Sequence, residues 1–319
     1  MIALSLALLF DRVFGDPDRL WRRLPHPVVW LGWLIGRAEW YLNRPEWPER
    51  RRKVAGTLAI LALLLLAMAA GAVLHALFRA LGPFGLVLEA VIASVFLAQK
   101  SLADHVERVE RALDRDGLEG GREAVSMIVG RDPDQLDEAG VCRAAIESLA
   151  ENASDGVVAP WFFYALAGLP GLLAYKMLNT ADSMVGHMDE RRRAFGWASA
   201  RLDDFANLAP ARLSALLFAL SGLRYGGRAM RRAWTVARRD APHHRSPNAG
   251  WPEGAMAGAL RLALGGPRRY GEIEVDAPFL CAEGRREAGL SDIARALRIF
   301  RRFCDLLLVL TLGLALVFG

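Results

Sequence analysis

Carboxylates, amides and arginines recur at helical spacing in three places along this chain, each beside an apolar run. Glu147, Glu151 and Asp155 stand four residues apart, so a continuous helix would line them along one face with about 40° of drift per step. Like charges at this spacing repel by roughly a few tenths of a kcal/mol, and a divalent cation or a cationic substrate group would offset that repulsion. Asn152 beside them adds a neutral oxygen. The plain alternative is a solvated helix face that ends at Asp155-Gly156.

In the second cluster Asn179, Asp182 and Ser183 follow at i, i+3 and i+4, nearly on the face of Lys176. Carboxylate, amide oxygen and hydroxyl make a shell for a hard cation, with Mg²⁺ keeping several waters and taking substrate phosphates. Hydrogen bonding between buried helices would use the same residues. The third cluster sets Asp203 and Asn207 at i and i+4, with Asp204 adjacent and Arg201 and Arg212 flanking. Arginine forks suit phosphate or carboxylate, although Arg201–Asp204 could equally be a structural pair. Two further stretches carry polar groups. Asp11…Gly15-Asp16-Pro17 precedes Pro25-His26-Pro27, where turn chemistry alone is a sufficient reading. His243-His244-Arg245-Ser246-Pro247-Asn248 leads through Trp251 to Pro252 and Glu253, as a helix start would. Histidines and an arginine there would favour an anion.

The elements that must position these groups are helices in and near a bilayer. Val54–Phe78 is long and apolar enough to cross, after the basic run Arg50–Lys53. Gly82-Pro83 turns it into a second apolar helix, Phe84–Gln99, which contains Glu89, and basic groups at both ends of 54–78 and 84–99 favour a transmembrane hairpin. Residues 100–137 read as a polar helical segment. Val157–Leu178 is interrupted at Gly168-Leu-Pro170-Gly171, and a simple crossing would put Arg191–Arg193 on the far side. Two half-helices folded back at Gly168–Gly171 avoid that, so a re-entrant hairpin is expected. Phe205–Leu223 is another apolar helix, and 303–319 a C-terminal span. Met1–Phe10 is read as retained, having no basic start and no small-residue cleavage site. Strand signals are weak. The fold class is mainly α: a polytopic integral membrane protein, one domain over 1–319, with broken or re-entrant helices and a polar cytoplasmic-side site within 147–270.

Composition agrees. Hydrophobic residues make up 53% of 319, high for a soluble enzyme and low for a bundle of spans alone. The net charge of +5 gathers in arginine clusters that read as topology signals, and no nucleic-acid-binding signature accompanies it. Cys142, Cys281 and Cys304 are too scattered for a disulfide framework or zinc site. The phosphate-binding glycine loops, HExxH and GxSxG are absent.

These residues together resemble the cobalamin-biosynthesis membrane proteins of the CbiB/CobD type, adenosylcobinamide-phosphate synthases. The resemblance rests on Asp11…Gly15-Asp16-Pro17, His26-Pro27-Val28, Glu147–Gly156, Tyr175-Lys176…Asn179-Thr180…Asp182–Gly186, Phe195–Asp204 and His244–Glu253, in order from Asp11 to about Tyr270. Glu107–Gly130 and the tail after Gly271 carry little of it, and an aromatic residue expected near Arg192 is missing.

The resemblance implies ATP-dependent joining of adenosylcobyric acid to (R)-1-amino-2-propanol O-2-phosphate, with the corrinoid as substrate and ATP and Mg²⁺ required. Glu147, Glu151, Asn152, Asn179, Asp182, Asp203 and Asp204 would form the metal-binding wall. Lys176, Arg201, His243, His244 and Arg245 would hold phosphate groups, with Asp16, His26, Arg212, Ser246, Asn248 and Trp251 also lining substrate. Asp155 or His243 would take the amine's proton; Asp182 and Lys176 complete the catalytic set. Expected surroundings are the inner membrane of a bacterium, a site facing the cytoplasm, the lipid bilayer as partner, other membrane enzymes of the pathway, and no nucleic acid. A polytopic magnesium-dependent prenyl- or alcohol-phosphate transferase is the rival enzyme reading. A transporter or a non-catalytic sensor is the rival outside enzymology.

Overall fold

The computed structural model describes residues 1–17, 21–129, 132–186, 191–270, 273–275 and 277–318. The backbone clusters into two compact units, each discontinuous in sequence: Met1–Leu97, Ala159–Asn207 and Leu314–Gly319 form the first, Ala98–Val158 and Leu208–Gly313 the second. Because the chain passes between them without a loop-rich stretch, no linker composition marks the division, and the sequence reads as one domain.

The first unit contains α1 (Ile2–Phe14), α2 (Pro27–Leu42), α3 (Glu49–Ala80), α4 (Gly82–Ser94), α7 (Ala159–Val185) and α8 (Trp197–Ala206). α3 begins after Pro48, with Glu49 in its first turn, and at 32 residues rises about 48 Å. Leu58, Leu61, Leu65 and Leu66 on it are exposed, as a lipid-facing surface requires. Gly82, at φ 59°, reverses the chain into α4, and α4 then packs against α3 and α1. At 13 residues α4 stops at Ser94, earlier than Phe84–Gln99 suggested, and rises only about 20 Å.

α7 is not a straight rod. Ala167 and Gly168 leave helical geometry (Gly168 φ 64°, ψ −151°) just before Pro170. The rings of Phe163 and Tyr175 stack 5.1 Å apart, whereas residues twelve apart in a straight helix would stand about 18 Å apart. The two arms therefore run antiparallel, which is the expected re-entrant hairpin. A glycine at position 71 of α3 lets the tip in, since a Cβ there would sit 2.6–2.8 Å from the Leu169–Pro170 backbone.

The second unit holds α5 (Gln99–Ser126), α6 (Glu138–Ala153), a π-helical turn at Ser154–Val158, α9 (Leu208–Ser221), α10 (Gly227–Asp240), α11 (Gly250–Leu260) and most of α12 (Leu290–Phe318). Residues 100–137 are not one continuous helix. Gly117 (φ 67°, ψ −157°) folds α5 back on itself, so that Gly121 packs on Leu113. Two short antiparallel ribbons, β1 (Leu264–Gly265) with β4 (Phe279–Leu280) and β2 (Arg268–Tyr270) with β3 (Ile273–Val275), stand where no strand was expected. The apolar end 306–318 belongs to a 29-residue helix starting at Leu290.

Three helical stretches among the described residues are long and apolar enough to cross a membrane: Glu49–Ala80, Gly82–Ser126 and Glu138–Val185. Trp197–Ala206 and Leu208–Tyr225, bent by 43°, qualify as a fourth only together.

Candidate functional site

In the first unit, α7 and α8 bring two of the predicted clusters together. Asp203 is buried on α8, and its Oδ2 accepts a hydrogen bond from the Asn207 amide at 2.9 Å. Asn207 in turn accepts from the Tyr175 hydroxyl at 3.0 Å, so an α7 tyrosine fixes the orientation of an α8 carboxylate. Asn179 and Asp182, one and two turns beyond Tyr175, lie near the same carboxylate, Asp182 as a like charge. The Oδ1 of Asp203 is buried without a hydrogen bond.

Two carboxylates so placed, one of them with an idle buried oxygen, call for a proton or a cation between them. Two glycines hold Asp182 in place. A Cβ on Gly186 would lie 2.1 Å from Asp182 Oδ1, and one on Gly196 1.7 Å from the Val185 carbonyl oxygen. Asp204 pairs with Arg201 at 3.6 Å on the exposed side of α8. Lys176 is half-buried one turn before Thr180, whose hydroxyl donates to the Lys176 carbonyl at 2.6 Å.

Asp16 and His26 also meet in this unit, His26 Nε2 lying 3.5 Å from Asp16. His26 Nδ1 accepts the Val28 N–H at 3.2 Å as the N-cap of α2. Both groups thus serve the turn that launches α2.

The second unit uses its predicted residues differently. The Glu147 carboxylate accepts the Gly265 N–H at 2.7 Å, tying α6 to the β1 strand. The Asn152 amide donates back to the Ser148 carbonyl and hydroxyl. The expected file of Glu147, Glu151 and Asp155 breaks because α6 ends at Ala153 and Asp155 falls in the π turn. Such turns insert an extra residue per turn and recur at functional sites.

Ahead of α11, Ser246 Oγ accepts the N–H groups of Asn248 and Ala249, and His244 Nδ1 accepts the Ser246 N–H. The donors expected to bind an anion at this helix start are partly taken by these turns. His244 Nε2 faces buried Glu253 at 3.8 Å, while His243 and Arg245 stay exposed. The Asn248 side chain is buried. Arg212 lies over the Trp251 ring at 4.7 Å, joining two predicted substrate residues through an arrangement that spacing did not foretell.

Sequence reasoning missed the role of Tyr175 and the whole of a second buried network. Glu89 accepts from Tyr164 and contacts His75 Nδ1 at 3.0 Å. A signal existed: His75 and Glu89 each lie seven residues from the Gly82 turn, so antiparallel arms must bring them level.

Among the described residues no three His, Cys, Asp or Glu side chains converge as a metal-enclosing cluster. A small set of hard oxygen donors does fit Mg²⁺, which binds through one or two carboxylates plus waters and phosphate oxygens. Asp203, with its idle Oδ1, and Asp182 meet that requirement.

Helices long and apolar enough to cross a membrane, with buried polar side chains where α7 meets α8, define a helical membrane protein. The family described as CobD/Cbib protein matches residues 4–300, and the chain belongs to that family. It is similar to proteins named "Cobalamin biosynthesis protein CobD". The one from Sinorhizobium sp is 58% identical over 318 residues, covering 99% of this chain and 98% of the relative. That of Brucella suis biovar 1 (strain 1330) is 53% identical over 318 residues, 99% of this chain and 97% of its own. That of Rhodobacter capsulatus is 47% identical over 299 residues, 93% and 91% respectively. No solved structure matches.

Proposed function

We propose that the chain is a cobalamin-biosynthesis enzyme that joins the free carboxylate of adenosylcobyric acid to the amine of (R)-1-amino-2-propanol O-2-phosphate at the expense of ATP. The observation that carries the reading is the buried Asp203, oriented by Asn207 and Tyr175 and opposed by Asp182. The names of the relatives supply the pathway.

A carboxylate is a poor acyl donor, so it first attacks the γ-phosphorus of ATP, giving an acyl phosphate and ADP. The amine then attacks the acyl carbon, phosphate leaves with the bonding pair, and the nitrogen loses a proton. Mg²⁺ held at Asp182 and Asp203 would neutralise phosphate charge during transfer. Lys176 and Arg201 supply positive charge for phosphate oxygens. Asp155 and His243 stand as alternative acceptors of the ammonium proton, and Arg212 on Trp251 offers a flat cationic surface for a substrate carboxylate or phosphate. ATP use argues for a site on the cytoplasmic face of the inner membrane, with both substrates arriving from that side.

The test is purified protein in mild detergent with adenosylcobyric acid, aminopropanol phosphate, ATP and Mg²⁺, followed by mass spectrometry of the corrinoid. A product heavier by aminopropanol phosphate less water supports the ligase. Folded protein that yields no product in detergent or in native membranes, yet moves solute across proteoliposomes, refutes it in favour of transport.

A further inference from the structure

α2 presents large aromatic side chains on its outer side that nothing in its own unit covers. Trp30, Trp33 and Trp40 are 56%, 61% and 57% exposed, too much for core residues of a packed helix. Its inner side is small and tightly seated: Ile35 and Glu39 are buried, and Gly32 and Gly36 lie against Met184 of α7. At 16 residues α2 rises about 24 Å, short of a bilayer core.

A repeat runs along this side and on into the loop after α2. Trp33, Trp40 and the half-buried Trp47 are spaced by seven, and Arg37, Arg44 and Arg51 follow each by four. Each arginine lies over its tryptophan, at 5.6, 5.4 and 3.9 Å from the ring centroid. Lys53 over Trp197, at 3.6 Å, extends the series. The repeat runs to the first turns of α3, where the exposed apolar surface of that spanning helix begins at Val54.

We propose that this tryptophan–arginine girdle is a binding surface for anionic phospholipid headgroups, with α2 lying along the membrane–water boundary. Indole rings favour that boundary because they are apolar with one N–H to satisfy. Arg37 and Arg44 each give one donor to Tyr41, to its hydroxyl and its carbonyl, and a guanidinium has further N–H groups to meet a phosphate, which gives the surface charge complementarity to anionic lipid. Continuity with the lipid-facing side of α3 decides against a soluble partner. The inference is independent of the reaction proposed above.

Two experiments on the full-length protein test it. In nanodiscs of equal parts phosphatidylcholine and phosphatidylglycerol, native mass spectrometry counts retained lipid in the wild type and in Arg37→Gln/Arg44→Gln/Arg51→Gln. Preferential retention of phosphatidylglycerol should fall by about tenfold or more in the variant, as loss of three surface cations requires. Equal retention in a variant with wild-type helical circular dichroism overturns the proposal. If the variant does not fold, the wild type decides. Lipids brominated near the headgroup should quench tryptophan emission more than lipids brominated near the chain end. Absent or depth-independent quenching, or quenching relieved by concentration-dependent dimerisation, assigns the face to another occupant and rejects lipid.

Discussion

At the scale of single residues, the candidate site is a chain of three groups with the buried carboxylate of Asp203 at its end. Tyr175 orients Asn207, Asn207 orients Asp203, and Asp182 opposes it. Asp203→Asn and Asp182→Asn should each lower turnover by about a hundredfold or more, with helical circular dichroism unchanged; near-normal rates of product formation would remove the pair from the chemistry. Gly186→Ala forces a Cβ to within 2.1 Å of Asp182 Oδ1, so it should lose activity to nearly the same extent although the residue has no side chain to contribute. The approach of Asn207 to Asp203 was legible, because the two share one helix face. What Glu147 and Ser246 do was not. Glu147 answers a backbone N–H 118 residues away, and helical spacing carries no information about such a partner.

At the scale of elements, glycines at positive φ reverse the chain three times inside otherwise helical sequence, at Gly82, Gly117 and Gly168. Two of the three were readable, since Gly82 and Gly168 lie beside prolines. Gly117 was not, because polar residues continue on both sides of it and the periodicity of α5 hides the turn. Gly168→Ala should cost about 1–3 kcal/mol, because φ 64°, ψ −151° lies in a region essentially reserved for glycine, seen as a lower thermal midpoint in detergent. The network across α3, α4 and α7 makes a sharper test. Glu89→Ala removes the partner of the His75 ring and strands the buried Tyr164 hydroxyl, and the stranded hydroxyl costs about 1–3 kcal/mol. Glu89→Gln, which can still accept, should recover part of that loss.

At the scale of the whole molecule, the second unit carries an ionic clasp between α10 and the β4 strand region. Arg239 donates to both Asp240 and Glu283, and Asp240 accepts the Cys281 N–H. Burial pushes the Asp240 carboxyl up, but the Arg239 donors and that N–H outweigh it and hold the group below its ordinary value. The stabilisation is complete above the unfolded carboxylate's pKa, about 4, and is lost as pH falls through the lower folded value. Thermal stability should therefore show an acid step below about pH 4 that Asp240→Asn removes while lowering the neutral plateau. Burial raises the Cys281 thiol to about 11, and all three cysteines are buried thiols outside any disulfide. Maleimide should label none of them near neutrality until denaturant is added. The division into two units was invisible in sequence because both are assembled from distant segments, so no local composition marks it.

The doubled-back α7 has a consequence for how the protein enters a membrane. From Gly156 to Tyr175 the chain contains no Asp, Glu, Lys, Arg or His, and its tip at Gly168 returns the second arm toward the level at which the first began. An element of this shape can slide into a bilayer from one side and stop there. No ionised group in it has to cross, and neither the membrane potential nor a translocated loop is needed to set its orientation. Insertion of this hairpin should accordingly proceed in vesicles whose potential has been collapsed, with Lys176 left accessible to amine-reactive reagent on the side of entry.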